Sequence, residues 1–374
     1  MTNARVVRPV DRRRLARGPG AVPAIAPLLV GLLACGDGGG EPPRDAGPDA
    51  PPADAAVDAR PDGGPEPADA AADRVTGDPP CEGPPGLFAA GSCERLAEGV
   101  RPFEPAYALW SDASAKRRWV YLPPGTEVDT SDPDDWVFPV GTRLYKEFSR
   151  DGRRLETRVL EKIEPEPGWS SWRVSTYVWN AAQDAVREVT RGEDDVLGTT
   201  HDVPSRAACG TCHNAGVADG ALGFTAVGLA HDGPGVTLAT LRGEGRLSVP
   251  VDDALARVPG DDATRAALGV LHVNCGPCHR TVRAPGDLEL DVRVGAVRPE
   301  DTHAYAAIGR AATWPRAPAG ALQIAPGDPD RSVVVLRMRA RGDDAQMPPL
   351  ATEVVDAAGL AAVSAWIAAL PASP

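Results

Sequence analysis

Two pentapeptides carry the chemistry most directly legible in this chain: Cys209-Gly-Thr-Cys212-His213 and Cys275-Gly-Pro-Cys278-His279. In a C-x-x-C-H run two thiols can add across the vinyl groups of a haem, and the adjacent His is thereby delivered beneath the iron as proximal ligand. One such run can also be a redox dithiol, but two in a chain with seven Cys point to two covalently attached haem c groups. Zinc is the competing reading, since four Cys and two His can supply a tetrahedral site. The 62 residues between Cys212 and Cys275 exceed zinc-ribbon spacing, and structural zinc gives no reason for a His directly after each second Cys. A disulfide within each C-x-x-C is the reading for a chain without haem.

Met347, in Q-M-P-P-L, is the expected distal ligand of one haem, because the two prolines place its sulfur in a loop rather than inside a helix. A His/Met iron lies high in the range of potentials that axial ligands set; it transfers single electrons and binds substrates poorly. The first motif has no such obvious partner. Its candidates are His201, His231, His272, His303 and Met338, or none, with Met338 equally readable as a core residue of S-V-V-V-L-R-M and His201 as a turn residue.

The other three Cys have different settings. Residues 1–35 hold six Arg and one Asp, then an apolar run from Ala21 to Ala34 that contains Pro23 and Pro27. This is the pattern of an export signal, and it is too short for a membrane span of about 20 apolar residues. The run ends Leu32-Leu33-Ala34-Cys35, which resembles a bacterial lipobox, so Cys35 is the expected lipidation site and the protein is expected on the periplasmic face of a membrane, inner or outer. Residues 36–80 are dominated by Pro, Ala, Gly and Asp with a net charge of −8, a composition that favours a solvated, extended tether. Cys81 and Cys93 remain as a pair able to close a short loop by a disulfide.

The whole chain of 374 residues has a net charge of −13, which argues against nucleic acid as a partner. Residues 81–374 keep −10 of it, compatible with basic redox partner proteins. No catalytic carboxylate pair, hydrolase triad, phosphate loop or nucleotide-binding glycine pattern stands out.

Elements of two kinds must position the pentapeptides. Asp261 or Asp262 can cap a helix whose Ala267, Leu268, Leu271 and Cys275 share a stripe, and Asp356 can cap another with Leu360, Val363, Trp366, Ile367 and Leu370, stopped by Pro371. Between 101 and 195 lie six of the eight Trp, in alternating patterns that predict strands. Thr142–Phe148 and Leu155–Ile163 flank the hairpin dipeptide Asp151-Gly152, and Trp172–Trp179 with Ala185–Thr190 predict a second hairpin. The expected fold is α+β and multidomain: a β-rich domain at 81–200, an antiparallel sheet or small sandwich, then a first haem-binding segment at 201–260 and a mostly α haem domain at 261–374. The Trp side chains can be core or can line a ligand site.

A helix entering C-x-x-C-H, a Met before a C-terminal helix and the pairing of those helices resemble class I cytochrome c over about residues 260–372. More widely, Y-A-L-W-S-D, F-P-V-G-T, Y-V-W-N, V-P-S-R-A-A-C-G-T-C-H, L-H-V-N-C-G-P-C-H-R and R-M-R-A-R-G-D-D-A-Q-M-P-P-L together resemble an exported bacterial family of dihaem c-type cytochromes with no assigned reaction, over about 81–372. The resemblance implies two haems on one chain and motif status for both Met338 and Met347. An electron carrier is the expected function. A dihaem peroxidase-like oxidoreductase and a haem-bearing surface binding protein are the alternatives.

Overall fold

The computed structural model describes residues 80–214, 218–280 and 285–371. The export run, the lipobox with Cys35 and all but the last residue of the 36–80 tether lie outside the described residues.

Six strands form one antiparallel sheet in chain order: β1 (Val100–Pro102), β2 (Ala115–Tyr121), β3 (Arg143–Arg150), β4 (Arg153–Lys162), β5 (Trp172–Trp179) and β6 (Val186–Val189). The β3–β4 turn has Asp151 at φ 51° and Gly152 at φ 75°, the paired positive angles that this dipeptide tolerates best. Two-residue periodicity then sorts the side chains to opposite faces. Val120, Leu144, Leu160 and Val174 are cross-strand neighbours on one face, and Trp119, Tyr145 and Val159 on the other. The second face is covered by Leu87, from the segment that the Cys81–Cys93 disulfide closes, with Val100 of β1 in the same cluster. Closing so short a loop stabilises by about 3 kcal/mol.

The described residues belong to one compact unit, and a single sheet replaces the sandwich alternative. The first face shares its core with Phe224, Leu229, Leu238 and Leu241, so the β region and the segment after it are built around the same apolar interior. Eight α-helical segments follow the sheet among the described residues: α1 (Arg206–His213), α2 (Ala226–Leu229), α3 (Leu238–Gly243), α4 (Asp253–Ala256), α5 (Asp262–Asn274), α6 (His303–Ala306), α7 (Val333–Arg339) and α8 (Ala357–Ala369). The architecture is thus mixed α+β.

Local capping sets the helices that matter for the site. Ser205 accepts from Ala208 N at the start of α1, Asp261 from Thr264 N at α5, and Asp356 from Gly359 N at α8. Each such cap is worth about 1 kcal/mol. α5 and α8 pack through Ala267, Leu268 and Leu271 against Val363, Trp366 and Ile367, with Val334, Val335 and Met338 of α7 in the same cluster. A Cβ on Gly359 would sit 3.2 Å from Val270 Cγ1, which shows how closely the two helices cross. No helix among the described residues is long and apolar enough to cross a membrane.

Candidate functional site

The two pentapeptides, 66 positions apart, open into one cavity of about 820 Å³. Cys209, Cys212 and His213 come from α1, and Cys275, Cys278 and His279 from the turn that ends α5. Met338 on α7 and Met347 in the following loop also line it. Its remaining wall is largely apolar, with Leu109, Leu222, Leu288, Leu290 and Leu350 among the contributors.

The motifs touch. Cys278 Sγ donates to Thr211 O at 3.7 Å. The neighbouring Cys278 thiol pulls that of Cys212 down to about 7, and Cys212 in turn pushes that of Cys278 up, since one sulfur's proton stabilises the other's thiolate. Burial pushes the Cys275 thiol up to about 12. The four motif cysteines are free, with no bridge inside either C-x-x-C.

Both motif histidines are held by the backbone in the same way. His213 Nδ1 donates to Gly220 O at 2.6 Å and His279 Nδ1 to Leu288 O at 2.9 Å. A proton fixed on Nδ1 leaves the Nε2 lone pair free for a metal, the orienting device typical of metal-bound imidazoles. Burial holds His213 down to about 4 and lowers His279 as well, so both rings are neutral near pH 7. Trp169 stacks on His213 with ring centroids 4.9 Å apart at 24°, and Gly210 makes room for it: a Cβ there would lie 3.4 Å from the indole Nε1.

Gly220 is required where it stands. It has φ +62°, and a Cβ on it would lie 2.1 Å from His213 O. Its neighbour Asp219 is pinned by Lys162, whose Nζ is 2.6 Å from Oδ1, in an ion pair of two fully buried side chains. Asp219 also accepts from Gly168 N at 2.9 Å and Phe138 N at 2.8 Å, while Lys162 donates to Glu166 O at 2.7 Å. The end of β4 thereby positions the carbonyl that orients His213.

No family model, curated protein or solved structure matches the chain. The donor set itself therefore has to say what fits. Among the described residues no three His, Cys, Asp or Glu side chains converge as a metal-holding group. A thioether-bound haem needs only one His beneath its iron and an apolar cavity, and each pentapeptide here offers a His with Nε2 unprotonated beside such a cavity. The residues present fit that group.

The other candidate distal ligands are placed elsewhere. His201 is buried against Phe148, with Nδ1 3.0 Å from Ser114 Oγ and Nε2 2.8 Å from Glu156 Oε1. His231 Nε2 donates to Glu104 O, His272 Nδ1 accepts from Val292 N, and His303 Nδ1 is bonded to Asp291. None of the four lines the cavity, whereas Met338 and Met347 both do.

Several residues of the site carry no local sequence signal: the Gly220 carbonyl, Trp169, and Asn274, which ties the second motif to the β region. Asn274 Oδ1 accepts from Trp110 N at 2.8 Å and its Nδ2 donates to Ala108 O at 3.1 Å. Trp110 and Trp314 face the cavity, whereas Trp119, Trp136, Trp172 and Trp179 are core.

Proposed function

We propose that this chain is a dihaem c-type cytochrome that carries single electrons between redox partners, held at the periplasmic face of a membrane by a lipid on Cys35. The observation that carries the reading is the shared cavity: Cys209, Cys212, His213, Cys275, Cys278 and His279 open onto it together with Met338 and Met347. When bound there, haem supplies a one-electron iron couple whose potential its axial ligands tune.

The protein's own groups then have definite tasks. The four thiols would hold the macrocycles covalently, and Gly220 O and Leu288 O keep His213 and His279 in the tautomer that presents Nε2. Met347 and Met338, the sulfur donors that line the cavity, would be the residues available to hold the iron opposite the motif histidines. The contact of Cys278 Sγ with Thr211 O brings the two attachment motifs side by side, so the groups they would hold would lie close together. The packing of α5 on α8 supports the class I likeness of the C-terminal part. The −10 charge of residues 81–374 suits a basic partner surface.

The test is production in an exporting host with c-type maturation. The mature chain is expected to carry the mass of two haems and two low-spin spectra inert to peroxide. A chain without added tetrapyrrole overturns the reading, and a high-spin band that responds to peroxide replaces the carrier with a peroxidase.

A further inference from the structure

The face of the sheet that is apolar at Val120, Leu144, Leu160 and Val174 changes character one pleat further along. There the register puts Arg118 opposite Lys146 and Lys146 opposite Arg158, three cations in a row across β2, β3 and β4. The next pleat adds Lys116 beside Phe148 and Glu156. Three of these cations ring Phe148, with Lys116 at 5.7 Å, Lys146 at 5.0 Å and Arg158 at 4.4 Å from its centroid.

Like charges directly opposite in a sheet repel, and burying them raises the cost. Within these strands one carboxylate shares the face and acts on Lys146 and Arg158, while Asp112 and Asp356 act on Lys116, and Glu104 on Arg118, from outside them. That carboxylate, Glu156, is fully buried and is taken up by Arg158, at 2.5 and 2.9 Å, and by His201. Lys116 donates to Ser114 O, a neutral acceptor. Arg118 is 8% exposed, and its Nε has no hydrogen-bond partner among the described residues. Lys146 is held well below the ordinary lysine range by burial and then by Arg118, Arg158 and Lys116, with Glu156 opposing. In a chain whose overall charge is negative, this face is short of anions.

Lys146 and Arg158 are also part of the wall of the large cavity, and their charge is felt at Cys212 and His213 of the first motif. The missing negative charge therefore has to arrive with whatever fills that space. A covalently attached porphyrin brings two carboxylates of its own, and these need partners because most of the surrounding wall is apolar. Arg337, another cation on the wall, is already donating to Ala345 O and Asp344 O.

We propose that the Arg118–Lys146–Arg158 row is a carboxylate-binding site for the propionate groups of the macrocycle seated in this cavity, with Lys146 as the contact residue. The proposal rests on the dihaem reading above. It assigns the β-rich region a function in that site: the sheet supplies the countercharge that the helical part lacks. It also explains why a strand pair would carry Lys opposite Arg at a half-buried position.

The test compares the mature, haem-loaded chain with its Lys146→Met, Lys146→Arg and Arg118→Met variants, reading haem content, spin state and reduction potential. Lys146→Met is expected to keep both haems and their low-spin spectra. One reduction equilibrium should shift about tenfold toward the oxidised form, a fall of about 59 mV for a one-electron couple, because the lost cation no longer repels the ferric charge or neutralises the carboxylate beside it. Lys146→Arg should restore the wild-type value. If Lys146→Met does not accumulate, Arg118→Met reports on the same row and should lower the same potential.

Unchanged potentials in the neutralising variants overturn the proposal while leaving the dihaem reading intact. A change to high spin in both Lys146 variants would make the lysine amine an iron ligand instead. A wild-type potential that follows added acetate or phosphate at constant ionic strength, with the response lost in Lys146→Met, would assign the row to a solution anion. Absence of haem from the wild-type chain removes both readings together.

Discussion

Replacing Gly220 with Ala tests how the first motif's histidine is held. The added Cβ would stand 2.1 Å from His213 O, whereas real Cβ contacts are essentially never under 3.0 Å, so the two backbones must part by about 0.9 Å. Gly220 cannot easily be the one to move, because Asp219 is fixed by Lys162 and by the Gly168 and Phe138 amides. A retreat of that size on the His213 side stretches the 2.6 Å bond from Nδ1 to Gly220 O to the limit of hydrogen bonding. The loss is about 1 kcal/mol for the bond, added to about 1–2 kcal/mol for an L-residue at positive φ. Gly245 is a matched control, with φ +63° and nothing within 4 Å of where a Cβ would stand. Urea unfolding of the full chain should therefore show Gly220→Ala losing about 2–3 kcal/mol and Gly245→Ala only about 1–2 kcal/mol. In the haem-loaded chain, loosening the ring should also change the potential of one centre and leave the other alone. Equal losses in the two variants, with both potentials unchanged, would refute the idea that Gly220 orients His213.

Met347→Ala should leave both haems attached and lower the potential of one, and an unaltered potential would remove Met347 from the iron. Lys162→Met strands the buried Asp219 carboxylate and should destabilise the chain by about 3–5 kcal/mol in urea unfolding, while a loss under about 1 kcal/mol would show the pair to be hydrated. Burial holds His272 down to about 4 from 6.5, so the neutral ring's contribution is complete above pH 6.5 and is lost as pH falls toward 4. His272→Gln should flatten the stability profile in that window, and an unchanged slope there would refute the assignment. Cys35→Ser should release the protein from membranes on fractionation, and continued retention would refute the lipid anchor.

Local features are legible in the order of residues. The Asp151-Gly152 turn, the Asp261 and Asp356 caps and the apolar stripes of α5 and α8 all lie where residues within a few positions of one another predict them. Cys81 and Cys93, the two cysteines that the motifs and the lipobox leave over, are bonded in the fold. His201 shows where such reasoning stops. As one of few histidines it is a candidate iron ligand, yet the sheet buries it with Ser114 and Glu156, partners 87 and 45 positions away.

The groups able to do chemistry, two Cys-x-x-Cys-His runs and a Met in a proline-stiffened loop, are fixed by residue order, because thiol and imidazole spacing within five residues is set by covalent geometry. Folding in three dimensions is what brings both runs to one cavity, aims a glycine carbonyl at His213 and adds Lys146 and Arg158 of the sheet to the same wall. These depend on contacts between residues tens of positions apart, whose pairing is chosen by burial of the common core and not by any local preference.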